Sequence, residues 1–422
     1  MTVQSIPKED GFENGLKILR EGYHYIPNRM KAYQSDLFAT TLMGKEAICM
    51  GGEEAGRLFY DESKIKRNGA APKFAMMTLL GKDGVQTLDD EEHRNRKQYF
   101  LNLMTEERIQ DWGLILKKHF LKSAIDWMKM PSIAFYDEAK KVLTKSVCEW
   151  AGVPLPEEDV EKRTNQLADM FENVVKPNHQ FAKAAISRKT STSWAEDLIQ
   201  QVRDGQVHPK ENTALYQIAF HRDLDGSLID THPAATDLLS VLRPSVAIAI
   251  YMSFVALSIA QFPEIKAKLK TKDVDSAYYE NFVREVRRYY PFFPFNAGHA
   301  RENLTWKGYE IKKDTLIVFD YYGTCHDERL WENPEEFNPD RFDSWEVSPS
   351  DQVQYKLVAQ GGGDYLKGHR CPGEWNTVEA MKVTAEVLTK HIDYDFPEQD
   401  VAYSMVSMPT KPKSGIVLEN VR

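Results

Sequence analysis

The chain has 422 residues, 42% of them hydrophobic and 11% aromatic, and a formal net charge of −9. That is enough apolar material for a large core, and the acidic balance argues against nucleic acid as a partner. Four cysteines, Cys49, Cys148, Cys325 and Cys371, lie far apart with no Cys-x-x-Cys pair, which leaves out the usual zinc spacings and suits a reducing cytoplasm.

In chain order, Met1–Asp10 reads as neither a signal peptide nor a membrane anchor. Apolar residues alternate from Phe38 to Cys49 around Met43-Gly44-Lys45, the pattern of a hairpin. Helical periodicity runs over Glu106 to Met128, Ile133 to Ala151, Asp159 to Val174, Thr192 to Arg203, Asp237 to Phe262 and Trp375 to His391. Pro154, Pro156, Pro177 and Pro209 mark the joints. Within the long central segment, Ser245 to Phe262 is uncharged and long enough to raise the question of a membrane span. It continues a stretch bearing Asp237 and Arg243, so it reads as the central helix of a large protein. A second hairpin is expected at Leu304 to Phe319, turning at Lys307-Gly308, and a short closing strand at Gly415 to Leu418.

The loop Gln360-Gly-Gly-Gly-Asp-Tyr-Leu-Lys-Gly-His369-Arg370-Cys371-Pro372-Gly373-Glu374 runs straight into a helical pattern. A cysteine there meets exposed N–H groups that favour its thiolate, Pro372 suits a first helical position, and the glycines would let backbone approach a large flat group. Such a thiolate can ligate haem iron. Upstream, Glu285 and Arg288 share a helical face, and Asn338-Pro339-Asp340-Arg341-Phe342 places an arginine in a turn. The order Glu-x-x-Arg, Pro-x-Arg-Phe, Gly-rich cysteine loop resembles the cytochrome P-450 superfamily. The resemblance covers nearly the whole chain. It implies a mainly α fold in one domain, residues 1–422, with small β-sheets and a long central helix over haem b. It implies Cys371 as axial ligand and a buried network of Glu285, Arg288 and Arg341.

Arg243-Pro244 departs from the superfamily's usual pattern. Oxygen-activating relatives carry an acid–alcohol pair at this part of the central helix; Val241-Leu242-Arg243-Pro244-Ser245-Val246 has neither. Pro244 is expected to kink the helix. Arg243 is left in an apolar setting where a bound carboxylate would settle its charge; Asp237, six residues away, is poorly placed to do so. With Val286 to Phe292, Tyr322-Gly-Thr324, His326-Asp327 and Asp364 seven residues before the cysteine, this resembles the bacterial fatty-acid peroxygenase branch. That resemblance implies hydroxylation of long-chain fatty acids at Cα or Cβ by hydrogen peroxide. The substrate carboxylate, paired with Arg243, acts as general acid–base. It implies no obligate redox partner and no membrane anchor. Gln86 stands where alkene-forming relatives tend to have histidine, and glutamine donates no proton at neutral pH, which favours hydroxylation. By similarity, Arg67, His93, Arg96 and His369 are expected to hold haem propionates. Leu80, Val85, Phe292, Phe293 and Pro294-Phe295 are expected to line the acyl channel, with Met170, Val174 and Val175 on its outer wall. The competing readings are decarboxylation to terminal alkenes, a reductase-dependent monooxygenase, and a non-catalytic haem or fatty-acid carrier.

Overall fold

Met43 and Gly44 both take left-handed backbone angles, φ 51° and 70°, and close the first hairpin in the sense that matches strand twist. This computed structural model describes residues 4–176, 179–345 and 354–422, so Met1–Val3 and Pro177 lie outside it. The strands, in chain order, are β1 (Leu37–Leu42), β2 (Lys45–Met50), β3 (Ile65–Lys66), β4 (Ser132–Ala134), β5 (Phe295–Ala300), β6 (Leu304–Trp306), β7 (Tyr309–Ile311), β8 (Leu316–Asp320) and β9 (Val417–Glu419). The main sheet runs β1-β2-β8-β5-β3, with β2 and β8 parallel. The second hairpin, β6 to β7, turns at Lys307-Gly308 with φ 48° and 83°, and β9 closes a two-stranded sheet with β4.

The helices that build the site are α1 (Asp90–Asn102), α2 (Glu106–Trp127), α3 (Phe135–Ala151), α4 (Val160–Glu172), α5 (His179–Arg203), α6 (Thr231–Ala247), α7 (Ala249–Gln261), α8 (Ala277–Tyr289) and α9 (Glu374–Glu386). One large apolar cluster joins residues of all nine of these helices, and two smaller clusters lie against the main sheet. Helices α6 and α7 form a nearly continuous run, Thr231–Gln261, apolar enough to cross a membrane, but 94% of its most apolar window is buried inside the protein. It is the apolar-all-round helix that the centre of a large fold requires.

The break in the central helix falls beyond Pro244, not at it. Helix α6 runs through Pro244, and the interruption falls at Ile248, whose N–H turns to Ser245 O at 3.4 Å instead of reaching back to Pro244 O. The helix tightens into a single i to i+3 turn four residues past the proline.

Candidate active site

Glu285 and Arg288, one turn apart on α8, are fully buried and joined twice: Arg288 Nε donates to Glu285 Oε2 at 2.7 Å and Nη2 to Oε1 at 2.8 Å. Arg341 Nε and Asn338 N–H donate to the same Oε1 at 3.1 and 2.8 Å. The spare guanidinium hydrogens reach carbonyls of Cys325, Pro334, Glu332 and Glu336. A buried ion pair is stable only when its remaining donors are filled this way, and the network pins the segment 325–341 to α8.

Cys371 is partly buried and its N–H donates to Gln360 O at 3.2 Å. Helix α9 begins only at Glu374, so Pro372 precedes it and Cys371 lies two residues before its cap, Gly373. The expected helix-end stabilisation of the thiolate is overridden. Burial, then the Glu374 carboxylate, push the Cys371 thiol up, against the Gly373 N–H, Lys97 and Arg287. Glu374 is itself held low, against burial, by Arg287 and Arg370; Arg370 Nε meets Oε2 at 2.7 Å and Arg287 Nη2 meets Oε1. The loop glycines also have a local cause. A Cβ on Gly362 would stand 2.7 Å from Gln354 O, and one on Gly363 2.8 Å from Tyr60 Cβ.

Beside this loop the imidazoles of His93 (α1) and His369 stack with centroids 3.9 Å apart. Burial, then the charges of His369 and Lys97, push His93 down to about 2; burial takes His369 down to about 4 although Asp89 opposes it. Arg67 is buried over the Phe59 ring, and burial lowers its pKa. Among the described residues, Arg67 Nε and His93 Nδ1 have no hydrogen-bond partner. Lys97, which the sequence did not single out, donates to Gly368 O and to Arg370 O. Buried cations and imidazoles with unfilled donors, next to a thiol, fit a haem with its two carboxylates. A carboxylate oxygen of Glu62 lies within 4.8 Å of a ring nitrogen of each histidine, and burial raises the Glu62 pKa.

Arg96 departs from this set. Its guanidinium is already paired with Asp237, with Nε to Oδ2 at 2.6 Å, unlike the other cations expected around the propionates. Asp237 also accepts from Tyr99 OH and from Val85 N–H at 3.0 Å. Arg243 therefore has no claim on Asp237. Its Nη1 donates to the backbone carbonyl of Leu79, and its Nε is buried without a partner among the described residues. Burial, then the charge of Arg188, push it down to about 9. Gln86 sits on the single 3-10 turn Val85–Thr87, and its Oε1 is buried with no partner among the described residues. Gly84 leaves the room it needs: a Cβ there would stand 3.1 Å from Gln86 Oε1 and 3.0 Å from Thr236 of α6. Leu80 is half-buried, while Val85, Met170 and Val174 are buried. Phe292 stacks on Tyr251 of α7 at 4.5 Å, whereas Phe293 is 42% exposed.

The family description for cytochrome P-450 matches residues 267–374. Cytochrome P-450 71D180 of Thymus vulgaris is 27% identical over 237 residues, which are 54% of this chain; the match spans only 45% of that relative's length. Solved structures match from end to end. Cytochrome P450EX alpha (CYP152N1) with myristic acid is 40% identical, with TM-score 0.94 and 99% of each chain covered. Cytochrome P450SP alpha (CYP152B1) with (R)-ibuprofen is 37% identical, with TM-score 0.94 over 98% of this chain and 99% of that one. A variant of cytochrome P-450 OleT in complex with arachidonic acid is 34% identical, with TM-score 0.94 and 99% of each chain covered. A cysteine loop tied to α8 through Glu374 and Arg287, and an uncompensated arginine on the central helix, thus sit in a fold shared along its whole length: the chain belongs to the cytochrome P-450 superfamily and, within it, to the fatty-acid peroxygenase branch.

Proposed function

We propose that this protein hydroxylates long-chain fatty acids at Cα or Cβ with hydrogen peroxide, without an obligate redox partner. The observation that carries the reading is Arg243, buried on the central helix with only a backbone carbonyl for a partner among the described residues. Haem b, when bound, would supply the oxidising chemistry, and the Cys371 sulfur would ligate its iron. Arg67, His93 and His369 would hold its propionates, and the thiol that burial holds protonated in the protein alone would lose its proton on ligation.

Arg243 binds the substrate carboxylate as a charge-assisted pair and so fixes Cα and Cβ as the nearest carbons. The same carboxylate takes a proton from one peroxide oxygen and returns it to the other, which leaves as water. In sum, one C–H bond of the acid becomes C–OH and hydrogen peroxide becomes water. Leu80 and Val85 would wall the first part of the acyl chain and exclude water. Gln86 donates no proton at neutral pH, which favours the hydroxy acid over the terminal alkene. A cytoplasmic setting is consistent with the scattered, unpaired cysteines.

The test is incubation of the haem-loaded protein with a long-chain acid and hydrogen peroxide, without reductase, followed by mass spectrometry. The expected products are 2- and 3-hydroxy acids, with the methyl ester left unreacted. Terminal alkene as the main product would establish decarboxylation instead, and turnover only with a reductase would establish a monooxygenase.

A further inference from the structure

Two buried guanidiniums, one from α5 and one from α6, converge on a single backbone oxygen. Arg188 Nη1 donates to Leu79 O at 3.2 Å, and Arg243 Nη1 donates to the same atom. Each residue is only 5% exposed. Each also keeps a buried N–H with no partner among the described residues, Nη2 of Arg188 and Nε of Arg243. The one carboxylate whose charge reaches Arg188 is Asp237, and its oxygens are taken by Arg96, Tyr99 and the Val85 N–H.

Arg96 thus holds that carboxylate, and the other two guanidiniums meet over a neutral carbonyl. Like charges in a dry setting repel, and unfilled donors add their own penalty. A carbonyl oxygen offers only a partial charge to answer both. The close packing is built in: a Cβ on Gly81, at φ +81°, would stand 1.9 Å from Arg188 Nη2.

Resting on the carboxylate-anchor reading above, we propose that Arg188 is the second arm of the acid-binding site. One carboxylate bridges the two arginines, with one oxygen on Arg243 and the other on Arg188. Arg188 is then a positioning residue that restricts the substrate to anionic headgroups. It holds the carboxylate plane so that the oxygen working on the peroxide is the one at Arg243.

The test compares the haem-loaded wild type with Arg188→Gln, Arg188→Lys and Arg243→Gln. Dissociation constants for a long-chain acid and for its methyl ester are measured by calorimetry and by the Soret shift. Ester binding reports that the pocket has folded. The expected result is that Arg188→Gln weakens acid binding about tenfold or more, the scale of one lost hydrogen bond to a charged group. The ester is expected to bind as before, and Arg188→Lys to recover part of the acid preference. Acid binding unchanged in Arg188→Gln, or acid and ester weakened alike, overturns the proposal. If Arg243→Gln alone loses the acid preference, Arg188 has no part and the Arg243 anchor stands. If neither variant loses it, the anchor reading falls as well.

Discussion

Buried ionisable side chains behave differently here according to what surrounds them. Arg243 reaches a carbonyl and no carboxylate among the described residues, so its function is carried by its charge. Arg243→Ala should remove nearly all fatty-acid turnover, on the order of a hundredfold or more in kcat/KM, while the thiolate-type spectrum of bound haem persists. Asp320, at the end of β8, is the opposite case. Its Oδ1 accepts the Gly323 N–H at 2.8 Å, and burial pushes its pKa from 3.8 up to about 8. The native state therefore keeps a proton that the unfolded chain releases between about pH 4 and about pH 8, so this residue erodes stability as pH rises through that window. Asp320→Asn keeps the acceptor and removes the titration. The variant should gain on wild type as pH rises, by at least about 1 kcal/mol near pH 8, in melts compared with those near pH 5.

At the scale of elements, the ion pair on α8 does the bracing. Glu285→Gln would strand Arg288 and Arg341 with buried charge. A loss of about 3–5 kcal/mol is expected, visible as a lower Tm and weaker haem retention. Both hairpins were legible in the sequence because their turns need a residue at positive φ and glycine stands at each. The central helix was legible from its unbroken apolar run. Helix α1 was not, because Asp-Glu-Glu-His-Arg-Asn-Arg-Lys has no apolar stripe. Its buried residues begin with His93, Arg96 and Lys97, and only Tyr99 and Phe100 near its end are aromatic. For the same reason His93 and Arg96 could be named from resemblance alone, but Arg96's commitment to Asp237 could not. Nor was Arg188 singled out. Only the run of small residues around it, with Ala184, Ser187, Ser191 and Thr192 on the buried face of α5, marks a cation turned inward. At Cys371 the Gly373 N–H favours the thiolate as expected, but burial outweighs it in the protein alone, a term that sequence does not reveal.

Across the whole molecule, α6 and α7 form the axis on which the other layers rest. Nearly every residue from Ala234 to Ile259 is buried, so no part of this run can open without disturbing the large cluster. Amides of Leu238 to Ile259 should exchange with deuterium only through global unfolding and be among the slowest in the chain, which mass spectrometry of proteolytic fragments would check. Binding chemistry at Arg243 is therefore mounted on the least yielding part of the fold.

The carbonyl of Leu79 has one more effect. An acid arriving at Arg243 finds Nε unfilled but Nη1 already given to the main chain, so the headgroup gains less than it would from a wholly free guanidinium. Most of the grip must then come from the tail, at about 0.8 kcal/mol or roughly fourfold per methylene. Acetate and butyrate should scarcely register. Plotted against carbon number, the logarithm of affinity should climb in a straight line and then level off, and the break would measure the reach of the channel like marks on a ruler.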